Sequence, residues 1–349
     1  MTARTSSNPR LHWIGQRTRE TAFTLAVVSI FTIAILLMTG TPPLAAFLAL
    51  YKGSLGSWIK FSHVVKSWIP LTLCGCGLLF TFRIGLWNIG VEGQVFFLGL
   101  SLAAAFAGGG LWAVLAGLLK TKGGVHEIFA GLGMNFVAQA MILWLIFGPW
   151  RRSGVASMSG TELLPRDLWL SYIPSLRLSP VSLGLVLAML VLTLLLLRYT
   201  RVGLCLKAIG SNSRAAVGFG LQPNGCLLLA LLLAGGLAGL AGSLQVSGVY
   251  HRLLPAISSN YGYLALLVVM LANYNIWLVP GVAFFFACLN VGSIQLPMVL
   301  KVDSSLSGVI QGALVLSALG MHAFRSRRPV KSGAAPHQES HEPSIHRES

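Results

Sequence analysis

An apolar run of sequence is interrupted by Arg83-Ile-Gly-Leu-Trp-Asn-Ile-Gly-Val-Glu-Gly-Gln94, and this interruption decides how the chain folds. Glycine frees the backbone from helical geometry. The polar side chains of Asn88, Glu92 and Gln94 are costly in hydrocarbon unless they face other protein or a cavity. A membrane helix is therefore predicted to break here. Such a break is typical of transport proteins, in which irregular backbone lines a route across the bilayer, and does not suit a simple membrane anchor.

The composition places most of the chain in a membrane. Of its 349 residues, 55% are hydrophobic and only 10% are charged, and the mean hydropathy is +0.75. A soluble domain carries about 25% charged residues, so lipid must be the solvent for most of this surface. The fold class is therefore predicted as an all-α polytopic transmembrane bundle of about 8–10 spans, with a glycine-broken or re-entrant segment near 85–119.

The charge balance is strongly basic, at +16. The bases are scattered among loops and two tails, without the aromatic-interleaved basic face that nucleic-acid binding requires. Basic loops follow instead from the positive-inside rule and from contact with anionic lipid headgroups. The cysteines have the spacing of neither a disulfide framework nor a metal site, and are interpreted as small packing residues. They are Cys74, Cys76, Cys205, Cys226 and Cys288.

Hydropathy divides the chain into a cytoplasmic N-terminal tail (1–20), a transmembrane domain (21–324) and a disordered cytoplasmic tail (325–349). Residues 95–119 suffice for one span, but a single span there would move the basic 198–214 loop to the outside. A re-entrant hairpin divided at Gly108-Gly109-Gly110 would restore the orientation; the alternative is one ordinary helix and an error elsewhere. The predicted spans are 21–38, 68–87, 126–147, 181–197, 226–246, Tyr261–Leu271, 276–291 and 306–324.

The chain carries no motif for catalysis, since the phosphate-cradling loop, the nucleophile elbow and the zinc-protease motif are all absent. We therefore expect no enzyme activity, cofactor or metal. The candidates for lining a path or shaping the break are Asn88, Glu92, Gln94 and Asn135. For Asn135 the alternative is an interhelical hydrogen bond worth about 1 kcal/mol. Close helix packing is predicted for the small-residue face of Gly235, Gly239 and Gly242, which could also line a pore.

A long basic loop, 198–216, separates two of the predicted spans. It contains a short predicted helix, Ser213–Gly218, which Asn212 or Ser213 could cap. A loop that carries its own capped helix is more often a docking surface than a spacer, although a solvated connector is the alternative.

Together these motifs resemble those of permease subunits of ABC importers in the nucleoside and simple-sugar group, of the branched-chain amino acid and ribose type. The resemblance covers about 68–319. It rests on the Gly85-to-Gln94 break, on Val125 and Glu127 leading to Asn135, and on Ala234-Gly235 leading to Gly242. It also includes a loop motif that is met here by Thr200, Gly203, Lys207, Ala208, Gly210, Asn212 and Ala215-Ala216.

The resemblance implies a multi-pass permease of the bacterial inner membrane, with both termini cytoplasmic, that passes nucleosides or related small polar solutes. Its implied partners are a cytoplasmic ABC ATPase, a second permease subunit in a homo- or heterodimer, an extracytoplasmic solute-binding protein and membrane lipid. The alternatives are the same permease serving simple sugars, or a self-sufficient ion-coupled carrier or channel. The implied ATPase-coupling residues are Gly203, Lys207, Gly210, Asn212, Arg214, Ala215 and Ala216.

Overall fold

The computed structural model describes residues 42–96, 102–152, 160–174 and 178–294, with isolated positions at 30, 33, 34, 37, 299 and 312. Over these ranges the chain is helical, and its only β-type pairings are two isolated bridges. The helices are α1 (Pro43–Ser54), α2 (Trp58–Arg83), α3 (Val91–Val95), α4 (Leu102–Thr121), α5 (Glu127–Phe147), α6 (Pro180–Tyr199), α7 (Arg201–Ser211), α8 (Ser213–Gly218), α9 (Pro223–Gln245), α10 (Tyr261–Leu271) and α11 (Val279–Ser293). A π-helical turn, Val246–Tyr250, extends α9.

Five of the described helices are long and apolar enough to cross a membrane, namely α2, α4, α5, α6 and α9 with its π-helical turn. Local signals set their starts. Ser57 caps α2 by accepting a hydrogen bond from the Lys60 N–H, and Ser179 caps α6 in the same way. Proline stands in the first turn of α6 and of α9, where its missing N–H costs nothing. The predicted polytopic all-α bundle is confirmed.

The core of the bundle forms around α2, which is buried along most of its length. Against it pack α9, α10, α11 and α6, and the buried side chains of these helices join one large apolar cluster. By contrast α4, α5 and α6 leave most of their apolar surface exposed. An exposed apolar surface of this extent requires lipid or another protein as its neighbour.

The break after α2 leads the chain back across the bundle. The start of this segment lies close to α7. A Cβ atom added to Gly210 would stand 3.2 Å from the Ile84 Cα. The Val95 carbonyl instead faces Gly242, near the far end of α9. Since α9 rises about 1.5 Å per residue, Gly242 lies about 28 Å from its start at Pro223. Residues 84–96 thus traverse the bundle from what we call its α7–α8 end to its opposite end.

Helix α4 then returns to the α7–α8 end as one unbroken helix. Gly109 faces Gly235 and Gly239 in mid-helix, and Gly117 faces Leu227 and Leu228 near the start of α9. The prediction of a hairpin divided at the three glycines is therefore wrong: they lie inside a continuous helix, and Gly109 and Gly110 pack closely against α9. The broken segment itself restores the parity of the crossings.

Other predicted boundaries differ by smaller amounts. The predicted span 68–87 is in fact α2, which starts at Trp58 because Ser57 provides the cap, and ends at Arg83. The spans predicted at 126–147, 181–197, 226–246, 276–291 and Tyr261–Leu271 correspond to α5, α6, α9, α11 and α10. The predicted spans 21–38 and 306–324 and both predicted tails lie outside the described ranges, apart from the isolated positions 30, 33, 34, 37 and 312.

One prediction about cysteines is wrong. The structure joins Cys205 of α7 to Cys226 of α9 in a disulfide, whereas Cys74 and Cys76 are free and buried in α2. The two bonded residues are 21 positions apart and belong to different helices. Their spacing does not indicate a pairing, which follows from the packing of α7 against α9.

Candidate functional site

The candidate site is a network of hydrogen bonds that satisfies the broken segment. Asn88 and Gln94 pair reciprocally through their side-chain amides. The Asn88 Nδ2 donates to the Gln94 Oε1 at 3.2 Å, and the Gln94 Nε2 donates to the Asn88 Oδ1 at 3.0 Å. Both side chains are buried. Each amide thus supplies the partner that the other would otherwise lack in an apolar interior.

Asn135 reaches from α5 into the same segment. Its Oδ1 accepts a hydrogen bond of 2.7 Å from the Gly93 N–H. Its Nδ2 donates to the Ile89 carbonyl at 2.9 Å and to the Tyr263 hydroxyl at 3.0 Å. One amide therefore joins α5, both sides of the break and α10. Tyr263 is a member of this site that the sequence did not single out, because it stands within an apolar run.

Glu92 faces the start of α10 rather than a cavity. Its Oε2 accepts from the Gly262 N–H at 2.7 Å, and the Ser258 hydroxyl and the backbone of Asn260 and Tyr263 also hydrogen-bond to the carboxylate. Asn260, the N-cap residue of α10, makes no side-chain cap. Glu92 takes over that role from a distant part of the chain, with its carboxyl group at the positive end of the helix dipole.

Two glycines allow α3 and α5 to meet closely at this network. A Cβ on Gly93 would lie 2.7 Å from the Asn135 Oδ1, and a Cβ on Gly131 would lie 2.7 Å from the Gly90 N. A Cβ atom essentially never lies within 3.0 Å of another non-bonded heavy atom, so a side chain at either position would displace α3 or α5. The three glycines predicted to pack closely lie elsewhere: Gly235 and Gly239 against α4, and Gly242 against the end of α3.

The predicted coupling loop forms two consecutive helices, α7 and α8. The Asn212 Oδ1 accepts from the Ala215 N–H at 3.0 Å and so caps α8, which has the predicted bounds Ser213–Gly218. Helix α7 was not predicted. Among the implied coupling residues, Gly203 and Ala216 are buried, whereas Lys207, Gly210, Asn212, Arg214 and Ala215 are exposed.

The outer side of these helices, which we call the α7–α8 surface (Arg201 to Phe219), combines apolar and basic side chains. Leu204, Val217 and Phe219 are 69%, 54% and 88% exposed. Arg201 and Lys207 are exposed beside them, and the stretch contains no acidic residue. Exposed apolar side chains framed by charges are typical of a surface that binds another protein.

A cavity of about 710 Å³ opens on the other side of α5, towards α4. Its wall is mostly apolar, and its polar groups come from the segment that follows α5, namely Arg151, Thr161 and Glu162. That segment lies over the opposite end of α9. The Leu164 N–H donates to the His251 carbonyl at 2.8 Å, and the Trp169 and His251 rings stack with 3.9 Å between their centroids.

Comparison with known proteins identifies the family of the chain. The family model for the branched-chain amino acid transport system / permease component matches residues 61–319. The chain belongs to this family. It contains the broken segment, the Asn135 network and the α7–α8 surface within the matched region.

Three relatives are permease proteins of ABC transporters. The glucose permease protein TsgB13 of Haloferax volcanii is 27% identical, over 87% of each chain. The guanosine permease protein NupP of Bacillus subtilis is 25% identical, over 83% of this chain and 90% of its own. The nucleoside permease protein NupB of Lactococcus lactis is 22% identical, over 74% and 79%. No solved structure gives a significant match.

The chain is therefore a multi-pass membrane permease subunit of an ABC transporter, as the resemblance predicted, and not an enzyme. ATP hydrolysis belongs to a separate chain with which such a permease associates.

Proposed function

We propose that this subunit forms the path by which an ABC importer takes up nucleosides or related small polar solutes across the bacterial inner membrane. The proposal draws its solute class from the guanosine and nucleoside permease relatives. The glucose permease relative supports simple sugars as the second candidate. Membership of the family argues against the self-sufficient ion-coupled carrier.

The proposal rests mainly on the α7–α8 surface. This surface presents both exposed apolar side chains and basic groups to a protein partner. Phe219 is 88% exposed, directly after α8, and Leu204 and Val217 project from the same two helices. A large apolar side chain seated in a pocket supplies most of the affinity of an interface. Lys207 and Arg214 would orient an acidic groove around these anchors. We assign this surface to the ATPase and the α7–α8 end to the cytoplasm, where we also expect both chain termini.

Motion at this surface has a short route to the broken segment. Gly210 of α7 touches the Arg83 carbonyl and lies close to Ile84, where the break begins. On the far side of the break, Asn135 and Glu92 join it to α5 and α10. A shift of α7 would therefore push the start of the break while its end is held. Broken helices of this kind are suited to opening a path alternately to the two sides.

At the opposite end, the segment between α5 and α6 presents exposed basic residues, among them Arg151, Arg152 and Arg166. We assign this end to the solute-binding protein, with charge steering the encounter. The exposed apolar faces of α4, α5 and α6 are left for lipid and for the second permease subunit, in a homo- or heterodimer.

The test is uptake by proteoliposomes that contain this chain together with its ATPase and binding protein. Radiolabelled guanosine and glucose are supplied outside, with ATP or a non-hydrolysable analogue on the ATPase side. We expect uptake of guanosine that requires hydrolysable ATP. Uptake of glucose alone would favour the sugar candidate. Uptake by the chain without its ATPase, driven by an ion gradient, would contradict the proposal.

A further inference from the structure

Helix α5 carries one exposed amide in the middle of an apolar span. Gln139 lies twelve residues after Glu127 in this helix of 21 residues, so it stands about 18 Å along a helix of about 31 Å. Its side chain is exposed and makes no hydrogen bond within the described part of the chain. An unpaired amide is costly in hydrocarbon. This side of α5 must therefore face water, a polar solute or another protein.

The polar character of this side continues onto α10. Asn135 precedes Gln139 by one helical turn, so both project from the same side of α5. The Asn135 Nδ2 donates to the Tyr263 hydroxyl. Tyr263 is 36% exposed, and because its oxygen accepts from Asn135, its O–H remains able to donate to a second partner. An exposed amide, a hydroxyl and an aromatic ring thus stand along the edge where α5 meets α10.

The two helices of this α5–α10 edge bring no cation to it, and the buried Glu92 carboxylate of α3 bonds to the Gly262 N–H beside it. Helix α10 contains no ionisable side chain apart from tyrosine, and α5 has none beyond Glu127, whose carboxylate is paired with Lys120 at 2.8 Å. The phosphate of a phosphorylated solute would lose water here without gaining a cation as a partner, which is unfavourable. An uncharged solute with hydroxyl groups and a flat ring would find hydrogen-bond partners at Gln139 and Tyr263 and a face on which to stack.

We propose that the α5–α10 edge, with Gln139 and Tyr263, is a wall of the solute path and contacts uncharged nucleosides through their hydroxyls and ring nitrogens. The inference rests on the proposed function and adds to it the residues that meet the solute and the exclusion of nucleotides. The cavity between α4 and α5 is mostly apolar, which makes it a less suitable route for such a solute. The Gln139 side of α5 is the polar one.

Cysteine accessibility tests the inference without relying on transport. In proteoliposomes that contain the assembled transporter, Gln139→Cys is compared with Val137→Cys, which is also exposed (49%) but projects from the opposite side of α5. The wild-type chain gives the background of the native cysteines. We expect a charged, water-soluble methanethiosulfonate to label position 139 at least about tenfold faster than position 137, since only a hydrated thiol ionises readily. Added guanosine should slow the labelling at 139.

Labelling at 139 as slow as at 137 would overturn the proposal and place this side of α5 in lipid. Efficient oxidative cross-linking of Gln139→Cys between two copies, without labelling, would overturn it in favour of a permease–permease contact. Co-purification of the ATPase is measured in the same preparation. If the ATPase still co-purifies in either case, this inference has failed while the proposed function has not.

A second measurement covers the case in which cysteine variants assemble poorly. Gln139→Leu and Tyr263→Phe each remove hydrogen-bonding groups from the path, and are expected to lower guanosine uptake about tenfold with the captured ATPase unchanged. Val137→Leu, the matched control, should leave uptake unchanged. Full uptake by both path variants would contradict the proposal.

Discussion

Replacing Gly93 by alanine should separate α3 from α5 at the centre of the site. The added methyl would stand 2.7 Å from the Asn135 Oδ1, 3.0 Å from the Asn135 Cα and 3.2 Å from the Ala138 Cβ. Ordinary contacts begin near 3.4 Å, so α5 must retreat, and the hydrogen bond between the Gly93 N–H and Asn135 lengthens or breaks. Overpacking costs about 1–3 kcal/mol and an orphaned buried donor about 1–3 kcal/mol more. We expect a loss of about 2–6 kcal/mol in the free energy of unfolding.

The assay is the apparent Tm of the purified chain in detergent, followed by size-exclusion chromatography after heating. Gly133→Ala is the matched control, because it adds a methyl to α5 where no atom lies within 4 Å. Gly93→Ala should lower the Tm by at least about 4 °C, and the control should not lower it, because alanine favours the helix over glycine. A double variant with Asn135→Ala should lose less than the sum of the two single losses, because the clash with the Oδ1 is then gone. Equal Tm values for Gly93→Ala and Gly133→Ala would contradict the close packing of α3 against α5 at Gly93.

Three further predictions concern the two ends of the bundle. Gly210→Ala should push α7 away from the break and reduce ATP-driven uptake, whereas Gly218→Ala, which meets no atom within 4 Å, should keep uptake within about twofold; equal uptake by both variants would contradict the route through α7. Asn212→Ala should speed amide exchange in α8 about fivefold, since a lost cap costs about 1 kcal/mol, and Asn212→Asp should not; no change in α8 would argue against the cap. Burial, with the nearby Lys66 adding to it, lowers the pKa of His251 below its ordinary value, against a hydrogen bond that the imidazole donates to the Ser247 backbone and that raises the pKa. The His251 imidazole therefore binds a proton more readily once segment 160–174 has detached from it. The amide exchange of this segment, corrected for the intrinsic rate, should rise as the pH falls below the ordinary pKa of histidine. His251→Gln should abolish this dependence.

Local signals in the sequence predicted local structure well. The bounds of α8 follow from Asn212 and the short apolar stretch after it, because a cap and the helix it starts are neighbours in the chain. The break at Gly85 and Gly90 was predicted for the same reason, since glycines and polar groups within a few residues interrupt an apolar helix. Each of these features depends on contacts inside about ten residues.

Features that depend on distant contacts were not predictable. The carboxylate of Glu92 caps a helix 170 residues further along the chain, and nothing near Glu92 indicates that Gly262 is its partner. Tyr263 stands in an apolar run, where a tyrosine predicts only packing. The crossing made by 84–96 was missed because an irregular segment has no hydropathy signature of a span, although it changes the side on which every later loop lies.

The most direct test of the α7–α8 surface as the ATPase-binding site is the capture of the ATPase from detergent by the tagged chain. The wild type is compared with a variant in which Ser213–Gly218 is replaced by a Gly/Ser linker, and with Gly93→Ala, which perturbs the site but leaves α7 and α8 intact. We expect that the wild type and Gly93→Ala both capture the ATPase and that the linker variant, although still folded in detergent, does not. Capture by the linker variant at the wild-type level, or no capture by the wild type, would contradict the assignment of the α7–α8 surface as the point where ATP hydrolysis drives the permease.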